Sequence, residues 1–482
     1  MAGAKCPFDR QTLKGHGPFD SANLIDLVLP LPHQGTAMHT TETTHTQPGR
    51  SSAVSALIGD RGGDVDSENQ SAREAYAWIQ NFNNGNQNNN WKNNNNRARA
   101  VRSSYQTEPL PSFQELVEAY FECRKGKRNS DTALAFEANL ERNLCALYAA
   151  LINRTYTPGR SICFVITRPK PREVWAAEFV DRIVHHLLYR RIGPRFENSF
   201  IADSCACIKG RGTLYGAIRL EAKVRSITEN WSKPAFYLKC DLANFFVAIN
   251  KAILMQLLEA KVQDPWWHWL TMEVLLNDPR INALNHASRK TAGLVPEHKR
   301  LGSQDNIHGL PIGNLSSQFF ANVYLNELDQ FVKHQVRAKH YIRYVDDFVL
   351  LHESPQWLNA AKAKIEWFLA ERLQARLNPT KTILQPIERG IDFVGQVIRP
   401  WHRTTRKRTV NVAFDRVQKV APEDRRATVN SYFGLMRQAG KSHHIRSQLA
   451  KVALKHGHAV DGGFTKNGEL LATMLYRRTQ KN

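Results

Sequence analysis

The sequence predicts an α+β fold preceded by a long low-complexity extension. Helical periodicity begins near residue 112 and dominates the next hundred residues. After residue 230 the pattern changes to short apolar runs that are typical of strands, and aspartates stand at the ends or turns of two of them. A basic segment with helical periodicity follows the strands. Helices and strands that alternate irregularly in this way are typical of α+β folds.

The charge of the chain favours a polyanionic partner. The 482 residues include 66 Lys and Arg against 44 Asp and Glu, a formal net charge of +22. Nucleic acid is the commonest partner for such an excess. No run of about 18 apolar residues indicates a membrane span. The seven cysteines form neither a C-x-x-C pair nor an even disulfide framework, which favours a reducing cytoplasm.

Residues 1–110 are expected to be mostly disordered. They mix Gly, Ser, Thr, His and Pro without a sustained period, and 11 of the 16 residues from Asn81 to Asn96 are Asn. This composition is typical of a polar linker, and the folded part is expected to start around residue 110.

Three helical stretches follow this extension. The first, SFQELVEAYFECRKGK, starts with a capping box formed by Ser112 and Glu115. The others are TALAFEANLERNLCALYAALIN and EFVDRIVHHLLYRRI. The first stretch is predicted to carry one apolar face, made by Phe113, Leu116, Val117, Tyr120 and Phe121.

Two strand segments carry aspartates. AFYLKCDLANFF contains an apolar run that ends at Asp241, and YIRYVDDFVLL contains two short apolar runs that flank Asp346 and Asp347. A hairpin that turns near the Asp pair would place both carboxylates at its tip. Between the two segments, GLPIGNLSSQFFANVYLNELDQFV reads as a Gly-rich loop that leads into an amphipathic helix.

Divalent ions would account for carboxylates in such apolar surroundings, where an unpaired charge costs several kcal/mol. Phosphoryl transfer to a sugar hydroxyl uses two ions about 4 Å apart, and carboxylate oxygens hold them. Asp241 and Asp346 would bridge the ions, with Asp347 as an auxiliary ligand. Taken singly, each aspartate is as well explained as a solvated turn residue. The joint order of strand with Asp, loop with helix, and hairpin with Asp-Asp therefore carries the prediction.

At this point the sequence resembles the reverse transcriptases over roughly residues 112–460. The resemblance implies a right-hand polymerase with fingers and palm over 112–400 and a basic helical thumb over 401–482. Seven segments resemble the motifs of these enzymes, in the same order: KPREVWAAEFVDRIVHHLL, FIADSCACIKGRGT, FYLKCDLANFF (motif A), GLPIGNLSSQ (motif B), RYVDD (motif C), LNPTKT (motif D) and FVGQVIRP (motif E).

The form of motif B resembles one subfamily of the group II intron-like bacterial enzymes, the reverse transcriptases of diversity-generating retroelements. Intron enzymes usually have Gln-Gly and then Ser-Pro, whereas this chain has Ile312-Gly313 and then Ser317-Gln318. The resemblance implies an enzyme that copies a template-repeat RNA into adenine-mutagenised cDNA for a target gene. Two alternatives remain open: another bacterial reverse transcriptase, of retron, intron or phage-defence type, and a catalytically dead nucleic-acid-binding protein.

The resemblance also assigns expected roles around the three catalytic aspartates. Leu242 joins them as a metal ligand, with two Mg²⁺ ions that Mn²⁺ can replace. Ile312 and Gly313 would contact the template or the nascent base pair and set fidelity. The residues expected to bind the incoming dNTP are Lys170, Arg172, Lys209, Arg211, Phe246 and Gln318.

The implied partners are the template-repeat RNA, the cDNA/RNA duplex, dNTPs and a small accessory variability protein, and the expected location is the cytoplasm, for a bacterial or phage-encoded protein. An insertion around 255–305 is a candidate contact for the accessory protein. From Trp401 to Asn482 the chain has 17 Lys and Arg against 5 Asp and Glu, as expected of a thumb that follows a duplex through its phosphates. The Asn tract resembles a translated template repeat, which would place the native start downstream.

Overall fold

The computed structural model describes residues 110–125, 130–167 and 170–470. The low-complexity extension predicted over residues 1–110 therefore lies outside the described residues, apart from Leu110. Of the described residues, 141–156 belong to one compact unit, and the others belong to a second, larger unit. The described part of the smaller unit is essentially one helix with Leu144, Leu147 and Leu151 buried.

Mixed helices and sheets make up the larger unit, as the predicted α+β class requires. The helices of the described residues, of which α3 belongs almost wholly to the smaller unit, are α1 Phe113–Arg124, α2 Asp131–Glu137, α3 Leu140–Ile152, α4 Phe179–Glu197, α5 Thr213–Ile227, α6 Phe245–Ala248, α7 Lys251–Glu259, α8 Pro265–Leu276, α9 Arg289–Gly293, α10 Leu315–His334, α11 Pro355–Leu373, α12 Lys407–Lys419, α13 Pro422–Arg437 and α14 His443–Lys455. The strands are β1 Ile162–Ile166, β2 Arg172–Ala176, β3 Phe236–Asp241, β4 Leu284–Asn285, β5 His340–Tyr344, β6 Asp347–His352, β7 Ile383–Pro386, β8 Ile391–Phe393, β9 Gln396–Arg399, β10 His402–Thr405, β11 His458–Val460 and β12 Asn467–Leu470. No helix among the described residues is long and apolar enough to cross a membrane.

The central sheet has four antiparallel strands in the order β5-β6-β3-β7. β5 and β6 form the hairpin that the sequence predicts at the Asp pair. One face of the sheet, with Tyr237, Ile342 and Val349, packs in a core cluster with Leu220 and Val224 of α5. On β5, the neighbours of Ile342 point to the other face and bond to α10. Both faces of the sheet are therefore covered at β5, which explains why the sheet's central strands are mostly apolar.

The described residues also form two three-stranded sheets. One has the order β2-β1-β4 and the other the order β10-β9-β8. Strand β4 comes from the predicted insertion around 255–305 and pairs in parallel with β1. The β9–β10 hairpin spans residues 396–405, so it crosses the boundary at 400 that we predicted between palm and thumb.

The predicted helices are present, with two differences. Helix α1 starts at the predicted capping box, because the Ser112 side chain accepts from the Glu115 N–H and Glu115 accepts from the Ser112 N–H. Phe121, however, is 62 % exposed, so its assignment to the apolar face was wrong. The stretch predicted as one helix from Thr132 is two helices, because a turn at Ala138 and Asn139 separates α2 from α3.

Helices α12, α13 and α14 share their own hydrophobic core. Val417, Val429, Phe433, Met436 and Leu449 are all fully buried in it. Both helical stretches that the sequence predicts in this basic region, ATVNSYFGLMRQA and HIRSQLAKVALKHG, lie in α13 and α14. The apolar residues of these helices face one another, which leaves most of the Lys and Arg side chains at the surface.

Candidate active site

Asp241, Asp346 and Asp347 come together at one end of the central sheet. Asp241 is the last residue of β3 and pairs directly across the sheet with Asp347, the first residue of β6. Asp346 lies in the turn between β5 and β6, and its carbonyl accepts from the Leu242 N–H at 3.3 Å. The fold thus brings motif A and motif C, which are far apart in the sequence, together at the same end of the sheet.

The hairpin tip has an unusual backbone conformation. Val345, which precedes Asp346, has a φ of 53°. A β-branched residue in this left-handed region is disfavoured by about 1–2 kcal/mol, so the surrounding structure must hold it there. Arg343 supplies one such contact, because its Nη1 donates to the Val345 carbonyl at 3.1 Å.

Arg343 is itself held by a fully buried network. Its side chain is 1 % exposed, and its Nη2 and Nε donate to the two carboxylate oxygens of Asp329 in α10 at 2.6 and 2.8 Å. The Tyr341 hydroxyl donates to the same carboxylate at 2.7 Å. Arg343 also donates to Ser204 Oγ at 3.0 Å and to Asn322 Oδ1 at 3.2 Å. The only sign of this network in the sequence is the Arg inside the apolar run YIRYV.

The carboxylates repel one another. Burial, with the charges of Asp347 and Asp241, raises the pKa of Asp346 to about 7. Burial also raises the pKa of Asp347, although Lys239 opposes this shift from 3.6 Å. Groups that are costly to ionise next to each other are good ligands for a cation, which removes the repulsion.

One of the three carboxylates, that of Asp241, is paired with the ammonium group of Lys381. Lys381 Nζ forms an ion pair with Asp241 Oδ2, and the Asn378 N–H donates to the Asp241 carbonyl at 2.7 Å. Both residues belong to the LNPTKT segment, which the sequence analysis recognised as a motif without assigning a role to Lys381 or Asn378.

The three aspartates suit a divalent ion by donor chemistry. Carboxylate oxygens are hard ligands of the kind that Mg²⁺ binds, and the Lys381 ammonium lies on an oxygen that such an ion would use. Within the described ranges, no group of three or more His, Cys, Asp and Glu side chains has metal-binding geometry. A divalent ion at this place and Lys381 would therefore have Asp241 as a common partner.

Two of the predicted phosphate-binding residues lie near the aspartates. Arg172, the first residue of β2, is close enough for its charge to lower the pKa of Asp346 against the dominant effect of burial. Partial desolvation and neighbouring cations, among them Lys381, Lys299 and Arg172, lower the pKa of Lys170. Lys299 comes from the predicted insertion, so that segment adds a cation to this cluster.

The other predicted pair has different surroundings. Arg211 Nη1 donates to the carbonyls of Ile201 and Ser204, at 2.8 Å in each case, and so holds a loop in place. That loop forms a parallel bridge from Ser204 to Arg343 at the edge of β5. Lys209 is exposed. The two bonds to the loop carbonyls give Arg211 a structural role, in addition to the dNTP contact that the resemblance implies.

The motif B loop packs against β2. The Trp175 N–H donates to the Ile312 carbonyl at 2.7 Å. Gly313 has a φ of 128°, and a Cβ there would lie 2.8 Å from Val174 Cγ1 and 3.1 Å from the Trp175 carbonyl oxygen. Protein packing therefore requires glycine at 313, independently of the base-pair contact that we predicted. Because β2 starts at Arg172, this contact also sets where that cation lies.

Phe246 and Gln318 are both half-buried. Phe246 lies in the short helix α6, its ring is 5.4 Å from that of Phe245, and its carbonyl accepts from the Leu310 N–H at 2.8 Å. This bond ties the motif A segment to the motif B loop. Gln318 lies in the first turn of α10.

One buried and two half-buried carboxylates at the tip of an antiparallel sheet, next to a cluster of cations, define a site suited to nucleotidyl transfer. Residues 169–398 match the family described as "Reverse transcriptase (RNA-dependent DNA polymerase)". This segment is therefore a reverse transcriptase domain, the nucleotidyltransferase domain of RNA-directed DNA polymerases, and such domains generally use divalent ions. All three aspartates, Arg343 and Lys381 lie within it.

Two telomerase structures are also similar to the chain. One is apo telomerase from Candida tropicalis, truncated from its C-terminal domain, with 13 % identity and a TM-score of 0.37, over 50 % of this chain and 53 % of that one. The other is telomerase from Candida albicans with a TWJ fragment of telomeric RNA, with 13 % identity and a TM-score of 0.38, over 63 % of this chain and 54 % of that one. The chain thus spans about half the length of each. No curated protein matches it.

Proposed function

We propose that the chain is an RNA-directed DNA polymerase that copies a template-repeat RNA into adenine-mutagenised cDNA. The polymerase part is supported by the reverse transcriptase domain and by the pairing of Asp241 with Asp347. The mutagenic part is carried by one observation, the Ile312-Gly313 and Ser317-Gln318 form of the motif B segment, which resembles the retroelement enzymes.

The residues of the site have different roles in the proposed polymerisation. Arg172 and Lys170 neutralise the triphosphate of the incoming dNTP. Asp241, Leu242, Asp346 and Asp347 would hold Mg²⁺ ions, which lower the pKa of the primer 3′-hydroxyl and steady the pyrophosphate leaving group. In the absence of an ion, Lys381 neutralises Asp241. Arg343 holds the hairpin tip that places Asp346 and Asp347 opposite Asp241.

The structure suggests a physical route from motif B to relaxed base selection. Base selection depends on differences of a few kcal/mol, so small changes in the position of a substrate contact matter. Ile312 has a half-buried apolar side chain, and its backbone fixes β2 through Trp175. An apolar residue at 312 offers no hydrogen bond to a base, while the same loop positions Arg172. We therefore assign Ile312 and Gln318 to base selection in the proposed reaction.

The proposed partners follow from this reaction. They are the template-repeat RNA, the cDNA/RNA duplex, dNTPs and an accessory variability protein. The insertion is the candidate surface for the accessory protein, because five large apolar side chains are exposed within or next to it: Leu276, Ile281, Leu284, Leu294 and Ile307.

The decisive experiment is the sequencing of cDNA that the full chain makes, with Mg²⁺ and its accessory protein, on RNA from the neighbouring repeat. We expect substitutions concentrated opposite template adenines. Accurate cDNA would support the retron, intron or phage-defence alternative. If no template gave cDNA, the chain would be a nucleic-acid-binding protein with an inactive polymerase fold.

Ile312→Gln provides the internal comparison for the same experiment. The variant should make cDNA with fewer substitutions opposite adenine, since a polar side chain replaces the apolar one near the pairing base. Leu134→Gln, an exposed position of α2 outside the insertion, serves as the matched control. Equal adenine errors in all three proteins would remove Ile312 from base selection.

A further inference from the structure

A group of basic residues lies at the end of β5 opposite to the aspartates. His340 starts this strand and Tyr344 ends it, beside Asp347 in the β5–β6 ladder. Four residue steps correspond to about 13 Å. The segment that leads from α10 into β5, KHQVRAKH (residues 333–340), contains three Lys and Arg and no acidic residue.

Helix α5 adds two further cations at the same place. Arg219 Nε and Lys223 Nζ both form ion pairs with Asp203, at 2.5 and 2.7 Å. The Asp203 carbonyl in turn accepts from the Arg343 N–H of β5 at 2.9 Å, which fixes this group against the strand. The carboxylate of Asp203 is thus paired with two cations. Together with the three Lys and Arg of residues 333–340, the positive charges here outnumber the negative ones.

The cations are close enough to affect one another. Burial, together with the charges of Lys223, Lys339 and Lys333, lowers the pKa of His340 to about 4. Burial and the charge of Lys223 also lower the pKa of Lys333. The fold therefore holds several positive charges together, although their repulsion opposes this arrangement.

The backbone of the segment is fixed. Val336 and Ala338 are 7 % and 3 % exposed, and Lys333 Nζ donates to the carbonyls of Ala338 and Lys339 at 3.2 and 3.3 Å. Between the two buried residues, Arg337 is exposed with a φ of 57°. Glycine or asparagine adopts this left-handed conformation more easily than arginine. The surrounding structure therefore holds Arg337 in a conformation that places its side chain at the surface.

We propose that Arg219, Lys223, Lys333, Arg337 and Lys339, here called the α10–β5 basic patch, bind the phosphates of RNA outside the polymerisation site. The inference rests on the proposed function in one respect, the choice of RNA as the polyanion. Closely spaced Lys and Arg on a fixed backbone are suited to phosphate contacts, which carry affinity and orientation rather than sequence specificity. At about 13 Å from the aspartates along β5, the patch would contact a structured part of the RNA while another part is copied.

The test uses the full chain and a fluorescently labelled 40-nucleotide RNA hairpin without a primer. Affinity is measured at several salt concentrations for the wild type, Arg337→Gly, Arg337→Asn and the double variant Arg337→Gly/Lys339→Gln. Glycine and asparagine both accept the left-handed backbone, so thermal unfolding should occur at the wild-type temperature or above it. The slope of log K against log salt should fall by about 1 for each single variant and by about 2 for the double variant.

The control is Lys364→Gln/Arg372→Gln, which removes two exposed charges from α11. This pair should lower the slope less than the double variant does. Extension of a short primer–template, too short to reach the patch, should continue at the wild-type rate in all variants. An unchanged slope in the patch variants, or an equal loss in the control, would overturn the proposal. If the wild type made no cDNA while the patch variants still lost RNA affinity, the proposed function would fail and the RNA surface would stand.

Discussion

Arg343 and Asp329 form a fully buried ion pair that supports the turn carrying Asp346 and Asp347. The guanidinium bonds both oxygens of Asp329 and also the carbonyl of Val345, the residue before Asp346. A helix residue and a strand residue, 14 positions apart in sequence, thereby fix a turn whose own conformation is disfavoured.

Loss of one member of this pair should be severe. Asp329→Ala leaves a buried guanidinium without its carboxylate, and we expect the free energy of unfolding to fall by about 3–5 kcal/mol. The double variant Asp329→Leu/Arg343→Met should recover much of this stability but not polymerase activity, because the Val345 carbonyl loses its donor. Chemical denaturation and primer extension measure the two effects. An active double variant would show that the turn does not need Arg343.

The stability of the metal-free protein should depend on pH through Asp346. Its pKa is about 7 in the folded protein and about 3.9 in an unfolded chain, so the folded state binds more protons between these values. The free energy of unfolding should therefore decrease as pH rises from about 4 to about 7. Asp346→Asn should flatten this part of the profile and unfold at a higher temperature than the wild type at pH 8.

Mg²⁺ should oppose the loss of stability at higher pH, because only the ionised carboxylates bind it. We expect the increase in unfolding temperature caused by Mg²⁺ to be larger at pH 8 than at pH 6 in the wild type, and small at both values in Asp346→Asn. An increase independent of pH in the wild type would place the ion elsewhere.

Lys381 should compete with that ion. Lys381→Met removes the ammonium from Asp241, so less Mg²⁺ should be needed for half-maximal stabilisation, while primer extension slows about tenfold or more as a positive charge near the substrate is lost. Lys362→Met, which removes a cation paired with Glu366 on the surface of α11, is the control. If the two variants behaved alike in the Mg²⁺ titration, the competition would be disproved.

Substitution of Gly313 should weaken dNTP binding, because it changes the position of Arg172 on β2. In Gly313→Ala, the new methyl group would lie 2.8 Å from Val174 Cγ1 at a φ of 128°, which displaces the loop from β2. We expect the KM for dNTP to rise more than kcat falls. Gly395→Ala is the control, since its φ is 82° but no atom lies within 4 Å of the added Cβ. A similar kinetic effect in both variants would attribute the change to backbone strain alone.

The sequence predicted the elements with strong local patterns. The apolar run before Asp241 and the two runs around Asp346 and Asp347 formed the expected strand and hairpin, because burial on both faces leaves nearly continuous apolar sequence. The capping box located the start of α1 for a similarly local reason. Phe121 was misplaced because helical periodicity does not show how wide the buried stripe is.

Features that depend on distant partners were not predictable. The need for glycine at 313 arises from Val174, and the position of Lys381 arises from Asp241, 140 residues earlier. The structural role of Arg211 was not predictable either, because the fold alone brings the carbonyls of Ile201 and Ser204 to its side chain.

The most direct test of the central claim is primer extension with dNTPs and Mg²⁺ on an RNA template, comparing the wild type with Asp241→Asn, Asp346→Asn and Asp347→Asn. Asp131→Asn, at an exposed position of α2, is the control. We expect DNA synthesis by the wild type and the control, and a loss of at least about 100-fold in each of the other three variants. Synthesis at the wild-type rate in Asp241→Asn or Asp346→Asn would contradict the central claim.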